Sequence, residues 1–215
     1  MKTEYILPKD IEKRSFEIIE SELSERGIRL PEEQGFIIKR AIHTTADFEY
    51  AKTLTFSHGA VERAFELLRN GADIVTDTNM ALAGVNKAVL EKLGGEAVCY
   101  MADPEVAREA RDRGLTRAAV SMERASKREK PVIFAVGNAP TALITLREMY
   151  DRGEYRPAFV IGVPVGFVNV EAAKELILET DIPCIVNRGR KGGSNVAAAI
   201  CNALLYHLTP VAERH

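Results

Sequence analysis

Three side chains on one predicted helix could bind and protonate a ligand together. The segment from about Pro31 to His43 has helical periodicity, with proline suited to its first turn. Phe36, Arg40 and His43 follow at spacings of four and three residues, opposite an apolar arc formed by residues 37, 38, 41 and 42. Imidazole exchanges protons near neutral pH. The pattern makes His43 a candidate acid and Arg40 a candidate ligand-binding cation; the alternative is an incidental surface histidine.

A second group of polar side chains surrounds glycines at residues 187–195, Asn-Arg-Gly-Arg-Lys-Gly-Gly-Ser-Asn. Arg188 and Lys191 supply positive charge, Gly192 supplies a flexible turn, and Ser194 begins a predicted final helix whose free amides favour anions. The lysine precedes Gly-Gly-Ser, unlike the lysine of a Walker P-loop, so no nucleotide is specified. We expect an anion site here, with plain turn chemistry as the alternative for the glycine pair.

Polar segments follow three further apolar runs, at residues 76–84, 137–143 and 164–169. Thr78 in the first and Asn138 in the second can donate or accept hydrogen bonds. Asn138 is also expected to cap a helix that has Pro140 in its first turn. Ligands of open parallel sheets bind beyond the carboxyl ends of the strands, so Thr78 and Asn138 are candidate binding residues.

The elements that would position these residues alternate along the chain. Short, nearly continuous apolar runs predict strands buried on both faces, at residues 72–75, 97–100, 132–136, 158–163 and 182–186. Helical segments lie between them, at residues 61–68, 85–93, 105–111, 142–150, 170–178 and 196–208. The order predicts an α/β protein with a parallel sheet and helices on both faces. We expect a single domain over residues 1–215, with N-terminal helices at 1–47 and the α/β core at 48–209.

The first N-terminal helix carries a hydroxyl within its apolar arc. Asp10 is placed to cap this helix, whose arc includes Ile11 and Leu23. Ser15 lies inside the arc, where it either bonds its own backbone four residues earlier or offers its hydroxyl to a ligand. The charged stretch from Glu123 to Lys130 is expected to be an exposed helix end before a strand.

Composition excludes several classes of function. The 215 residues carry a net charge of −2, so no overall basic field attracts nucleic acid or an anionic membrane. The amino terminus lacks the apolar core of a signal peptide, and Val196–Leu208 is too short to span a bilayer. The three cysteines stand singly in apolar segments, without zinc-ligand spacing, as expected for buried thiols in a reducing, cytoplasmic compartment. We expect no metal site in the protein.

Six motifs, in order and over nearly the whole chain, resemble the precorrin-8X methylmutase family: RSF at 14–16, RAIHTTADF at 40–48, DTNMALAGV at 77–85, GNAPTAL at 137–143, PVGFV at 164–168 and NRGRKGGSNVAAAICNAL at 187–204. The resemblance implies an α/β homodimer with active sites near the subunit interface. It places the catalytic histidine at His43. It also places Ser15 and Arg117 near the carboxylates or amide-forming side chains of a tetrapyrrole substrate.

The family resemblance also implies a reaction, either cobalt-precorrin-8 to cobyrinate or precorrin-8X to hydrogenobyrinate. The run after His43 resembles the cobalt-dependent branch. One segment departs from the family: residues 169–174 read NVEAAK where a run ending in Glu-Ser-Lys is usual, although Lys174 still matches.

The implied reaction is an intramolecular methyl shift on ring C, so it consumes no methyl donor or redox cofactor. Any cobalt is carried by the substrate. His43 would protonate a ring nitrogen, or bind it through a strong hydrogen bond, and so ease the migration. Two other functions fit the residues: a phosphate-ligand isomerase or transferase that uses residues 187–195, and a non-catalytic corrinoid carrier.

Overall fold

The structure is a computed structural model that describes Leu7 and residues 10–209. Its centre is a six-stranded sheet in the order β1-β6-β5-β4-β2-β3. The strands are β1 Leu54–Phe56, β2 Asp73–Thr76, β3 Ala97–Val98, β4 Val132–Val136, β5 Phe159–Gly162 and β6 Cys184–Asn187. All neighbouring strands are parallel except β1, which runs antiparallel to β6. The predicted α/β class is confirmed.

Eleven helices lie among the described residues: α1 Ile11–Glu25, α2 Gly35–Thr45, α3 Tyr50–Thr53, α4 Ala60–Arg69, α5 Asn79–Gly84, α6 Lys87–Lys92, α7 Pro104–Arg113, α8 Arg117–Ala125, α9 Pro140–Asp151, α10 Val170–Leu178 and α11 Ser194–Leu208. Helices α2, α4, α6 and α11 share one apolar core with the sheet. Helices α8, α9 and α10 share a second core on the other face. The sheet is therefore covered on both faces, as predicted. None of these helices is long and apolar enough to cross a membrane.

The central strands bury both faces because their side chains alternate between the two cores. On β4, Ile133 and Ala135 face the core that includes α11, whereas Val132, Phe134 and Val136 face the core of α8 to α10. Every residue of β2, β4, β5 and β6 is buried. Fully burying an aliphatic or phenylalanine side chain contributes about 1.5–3 kcal/mol. The continuous apolar runs of the sequence are explained by this two-sided burial.

The apolar arc predicted on the second helix is confirmed, but the helix begins later than expected. Residues 37, 38, 41 and 42 are all buried against the core. Pro31 does not lie in the first turn of α2, because residues 31–34 form a separate turn in which the Pro31 carbonyl accepts from the amide of Gly35 (2.8 Å). Asp10 stands at the N-cap of α1, yet within the described residues its side chain makes no capping hydrogen bond. The rest of the predicted 1–215 domain, residues 1–6, 8–9 and 210–215, lies outside the described residues.

Several elements were not predicted. Strand β1 has three residues and joins the sheet edge, so it leaves no apolar run. Helix α5 was missed, and of α8 only the charged end was predicted. Both helices are short and begin at threonine caps: Thr78 accepts from the amide of Ala81 (3.0 Å), and Thr116 from that of Ala119 (3.1 Å). Helix α3 was also missed.

The charged stretch at 123–130 is a helix end as predicted, but it is not simply a solvated surface. The Arg128 guanidinium donates to the buried carboxylate of Asp73 (2.8 Å) and to the Tyr100 hydroxyl (2.7 Å). These contacts attach the segment to the amino end of β2. The three cysteines, all within the described residues, are free: Cys184 and Cys201 are buried as predicted, and Cys99 is half-buried.

Candidate active site

The carboxyl ends of the central strands bring together two of the predicted binding residues. The Thr78 and Ser194 hydroxyl oxygens lie 2.7 Å apart, joining the end of β2 to the start of α11. Gly137, at the end of β4, lies against this pair, because a Cβ there would come within 2.6 Å of the Cα of Ser194. Sequence positions more than a hundred residues apart thus form one polar surface, as expected at the carboxyl edge of a parallel sheet.

Asp77 organises this surface, although the sequence did not single it out. Its buried carboxylate accepts hydrogen bonds from the amides of Gly137 (2.8 Å), Asn138 (2.8 Å) and Ala139 (2.6 Å). Burial raises the pKa of Asp77, and the three amide hydrogen bonds oppose that rise. The prediction that Asn138 caps α9 was wrong: Ala139 is the N-cap residue, and no side chain makes a capping hydrogen bond there. Asp77 instead binds the amides of residues 137–139, which lead into the helix. The Asn138 side chain is left exposed at the site.

The cations of loop 187–194 are each paired with a carboxylate of the protein. Arg188 pairs with Glu175 (2.8 Å) and Arg190 with Glu171 (2.8 Å). Lys191 binds both Asp47 and Glu49. Lys191 lowers the pKa of Asp47, while the two carboxylates raise the pKa of Lys191. These pairs are exposed, so each contributes only about 0–1 kcal/mol, and a ligand carboxylate can replace the protein's own.

Beneath the loop lie two buried polar side chains that the sequence did not identify as site residues. Lys174 is fully buried, and its Nζ donates to the carbonyls of Gly189 (2.7 Å) and Lys191 (2.8 Å). Burial lowers the pKa of Lys174 to about 8, against a smaller opposing effect of Glu171. Asn187 Nδ2 also donates to the Lys191 carbonyl (2.8 Å). In the sequence, only the match of Lys174 to the family motif at residues 169–174 could have indicated that it belongs to the site.

Gly192 holds the same loop against the end of β5. A Cβ at this position would lie 2.0 Å from the Val163 carbonyl oxygen, closer than any side chain allows. The amide of Gly193 donates to that same oxygen (2.9 Å). Glycine is therefore required by close packing of the backbone, which supports the alternative of turn chemistry for the Gly-Gly pair.

His43 is exposed on α2 and stacks on an aromatic ring of α1. The ring centroids of His43 and Phe16 are 5.3 Å apart, with 26° between the planes. The Arg40 guanidinium lies over the same Phe16 ring, 4.9 Å from its centroid, and pairs with Glu12. A cavity of about 240 Å³, lined in part by Phe16, Arg40 and Tyr206, opens beside the stack. The stack on Phe16 thus restricts the orientation of the imidazole ring, while His43 stays exposed to solvent.

The expected grouping of Phe36 with His43 was wrong. Phe36 instead packs at a tilt against His207, at the carboxyl end of α11 (4.5 Å between centroids), and stacks on Phe65 of α4 (6.1 Å). The aromatic neighbour of His43 is Phe16, which belongs to the RSF motif. Ser15, next to it, donates its hydroxyl to the Ile11 carbonyl (2.9 Å), as in the backbone-bonded alternative.

Helix α2 places His43 on the side of the molecule that carries loop 187–194. The helix runs antiparallel to α11, with Phe36 against His207 and Arg40 5.6 Å from the Tyr206 centroid. Past the end of α2, Asp47 reaches Lys191, just before α11 begins. His43 lies between these contacts along α2, in the part of the helix that leads toward loop 187–194.

Exposed apolar side chains and one further cation surround the strand ends. Met80, Phe167 and Val168 are 71%, 82% and 78% exposed; Met80 lies in α5, after β2, and the other two lie in the loop after β5. Arg117, the first residue of α8, is exposed and has no ion-pair partner within residues 10–209; Thr116 beside it bonds Thr141 of α9 (3.3 Å). Apolar surface bordered by cations suits a large ring with peripheral carboxylates.

Two further observations limit the chemistry of this surface. A cavity of about 620 Å³ lies between α1 and the start of α2, lined in part by Leu30 and His207, away from the strand ends. Across the described residues, no cluster of three or more His, Cys, Asp or Glu side chains is placed to hold a metal ion. The fold and site define an α/β protein with an open, polar ligand surface at the carboxyl edge of its sheet and an exposed histidine, His43, near the end of α2.

Comparison with known proteins identifies the family. The model of the precorrin-8X methylmutase family matches residues 10–207. The chain is 49% identical to a cobalt-precorrin-8 methylmutase of Salmonella typhimurium over 80% of each chain, and 42% identical to one of Priestia megaterium over 93% of this chain and 88% of that protein. It superposes on the precorrin-8X methylmutase of Thermus thermophilus with a TM-score of 0.82 and 39% identity, covering 91% of this chain and 96% of the other.

The chain therefore belongs to the precorrin-8X methylmutase family. It is an isomerase of cobalamin biosynthesis, and its family acts on a corrin precursor. The family resemblance stated from the six motifs is confirmed.

Proposed function

We propose that this chain converts cobalt-precorrin-8 to cobyrinate by moving a methyl group on ring C, with His43 as the general acid. Relatives at 49% and 42% identity are both named cobalt-precorrin-8 methylmutases, which supports the cobalt branch over the metal-free one. The HTTADF run after His43 supports the same branch. The observation that supports the acid role is the exposed His43 ring, stacked on Phe16 in the part of α2 that leads to loop 187–194.

The proposed chemistry needs one proton and accurate positioning. His43 donates a proton to the conjugated macrocycle at an atom that is not bound to cobalt, which makes the macrocycle electron-poor and eases migration of the methyl group between adjacent carbons. Once the methyl group has moved, the same imidazole takes the proton back, so the isomerisation has no net proton change. Stacking on Phe16 restricts the orientation of the imidazole, so the proton donor is already positioned before the substrate binds. The rearrangement is intramolecular, and we propose that it uses neither a methyl donor nor a redox cofactor. Cobalt enters and leaves as part of the substrate.

Binding of the substrate is assigned to the strand-end surface and the helix starts around it. Charged contacts to the peripheral carboxylates come from Arg40, Arg117, Arg188 and Lys191. Hydrogen bonds come from Ser15, Thr78, Asn138, Gly192 and Ser194, through side chains or backbone amides. The exposed apolar residues Phe167 and Val168 contact the macrocycle itself. We further propose a cytoplasmic homodimer with the substrate near the subunit interface.

The test is a spectral conversion assay on cobalt-precorrin-8 and on precorrin-8X, with wild-type protein and two histidine variants. We expect His43→Ala to lower kcat by at least about 10²-fold, the range lost with a general acid, while the Kd for corrin stays within a few-fold. The matched control is His58→Ala, an exposed histidine in the turn before α4. Its kcat should equal that of wild type.

Three outcomes would count against parts of the proposal. Near-normal turnover by His43→Ala removes the acid role. Preferential conversion of precorrin-8X by wild type reverses the branch assignment. Tight corrin binding by wild type without conversion of either compound favours a carrier.

A further inference from the structure

Lys174 is a buried cation that has no role in the proposed reaction. Its side chain lies wholly inside the protein, on α10 and beneath loop 187–194. A buried ammonium is costly unless its N–H groups are hydrogen-bonded. Here the Nζ donates to two carbonyls of a single loop, those of Gly189 and Lys191.

These two hydrogen bonds determine which way the peptide groups of the loop face. In a trans peptide the carbonyl and the following N–H point in opposite directions. With the carbonyls of Gly189 and Lys191 turned inward to Lys174, the N–H groups of Arg190 and Gly192 are turned outward. Neither N–H has a hydrogen-bond acceptor within residues 10–209. The loop therefore presents two free amide donors to the surface.

These amides differ from the charged side chains of the same loop. Arg188, Arg190 and Lys191 are all engaged with carboxylates of the protein and must exchange partners to bind a ligand. The amides are already free and already oriented. Preorganised donors bind an anion without an ordering cost, so the backbone is the part of the loop best prepared for a carboxylate.

We propose that Lys174 is a positioning residue for substrate binding, which keeps the Arg190 and Gly192 amides directed at a carboxylate of the corrin substrate. The inference rests on the proposed function and adds a binding element to it. Lys174 does not touch the substrate itself. Asn187, which donates to the Lys191 carbonyl from the same side, assists it.

The test compares Lys174→Met, which removes all donors, with Lys174→Gln, which keeps an N–H donor without charge. Steady-state kinetics on cobalt-precorrin-8 should show KM raised about tenfold in Lys174→Met, equivalent to about 1.4 kcal/mol, with kcat within about twofold. Lys174→Gln should fall between wild type and Lys174→Met. Hydrogen–deuterium exchange of the peptide covering residues 187–193 should be faster in Lys174→Met.

The matched control is Ile177→Ala, one turn further along α10 and equally buried. It weakens the same helix without contacting the loop, so KM and loop exchange should stay near wild type. A KM unchanged in both Lys174 variants, or raised equally by Ile177→Ala, overturns the proposal. Equal hydrogen–deuterium exchange of residues 187–193 in wild type and Lys174→Met also overturns the proposal, whichever corrin precursor is the substrate. Failure of wild type to convert either corrin precursor instead refutes the proposed function.

Discussion

Stability should depend on pH through Lys174, and substitution by methionine should remove that dependence. Burial lowers the pKa of Lys174 from its ordinary 10.5 to about 8. Between these values the unfolded chain holds a proton that the folded protein has released. The free energy of unfolding therefore rises as pH increases through this window, because the unfolded state binds more protons.

The size of the effect follows from the same two values. One pKa unit corresponds to about 1.36 kcal/mol, so the full window from 8 to 10.5 amounts to at most about 3 kcal/mol. The hydrogen bonds survive the titration, since a neutral amine keeps two N–H donors for the two carbonyls. What disappears at high pH is the cost of burying a charge.

The assay is urea unfolding at a series of pH values from 7 to about 10, applied to wild type, Lys174→Met and Lys127→Met. Lys127 is exposed at the end of α8, so its variant should keep the pH dependence of wild type. The difference in free energy of unfolding between wild type and Lys174→Met should change in favour of wild type as pH rises. Parallel curves for these two proteins would refute the argument that Lys174 is buried with a lowered pKa.

Three further predictions concern the strand-end surface. Gly192→Ala should raise KM for the corrin substrate and lower the melting temperature, because its Cβ would meet the Val163 carbonyl; kinetics and thermal unfolding at wild-type values would contradict the packing argument. Asp77→Asn should cost about 1–3 kcal/mol in urea unfolding, since three amides lose a charged acceptor; an unchanged midpoint would mean that the carboxylate does not stabilise the turn at residues 137–139. Arg117→Met should raise KM for the free-acid substrate more than for an amidated analogue, and equal losses for both would exclude a carboxylate contact.

The fold was predictable from the sequence where burial is two-sided. Runs such as Val132–Val136 have no polar residue because both faces of β4 pack against helices. Short elements were missed for the opposite reason: α5 and α8 depend on single threonine caps, and β1 on its pairing with Asn187 and its neighbours at the sheet edge. The single domain over residues 1–215, with its boundary between N-terminal helices and core at residue 47, stays a prediction.

The site was predictable as a set of residues but not as a set of contacts. Helical spacing correctly gave His43 and Arg40 a common side, yet the partner ring came from Phe16, on a different helix. Asp77 and Lys174 could not be found by periodicity, because their partners are backbone groups brought close only by the folded sheet. The pairing of Arg188 with Glu175 likewise depends on how α10 packs beside the loop.

Under the proposed function, the carboxylates that pair with the cations of loop 187–194 should also determine which anionic ligands the loop binds. A ligand with one negative group gains little by displacing Glu175 from Arg188, because it exchanges one exposed ion pair for another. A ligand that carries several carboxylates on one rigid ring displaces several pairs in a single binding event, so each later contact forms at high effective concentration. If loop 187–194 binds the substrate as proposed, small anions such as phosphate should compete only weakly with a polycarboxylate ring.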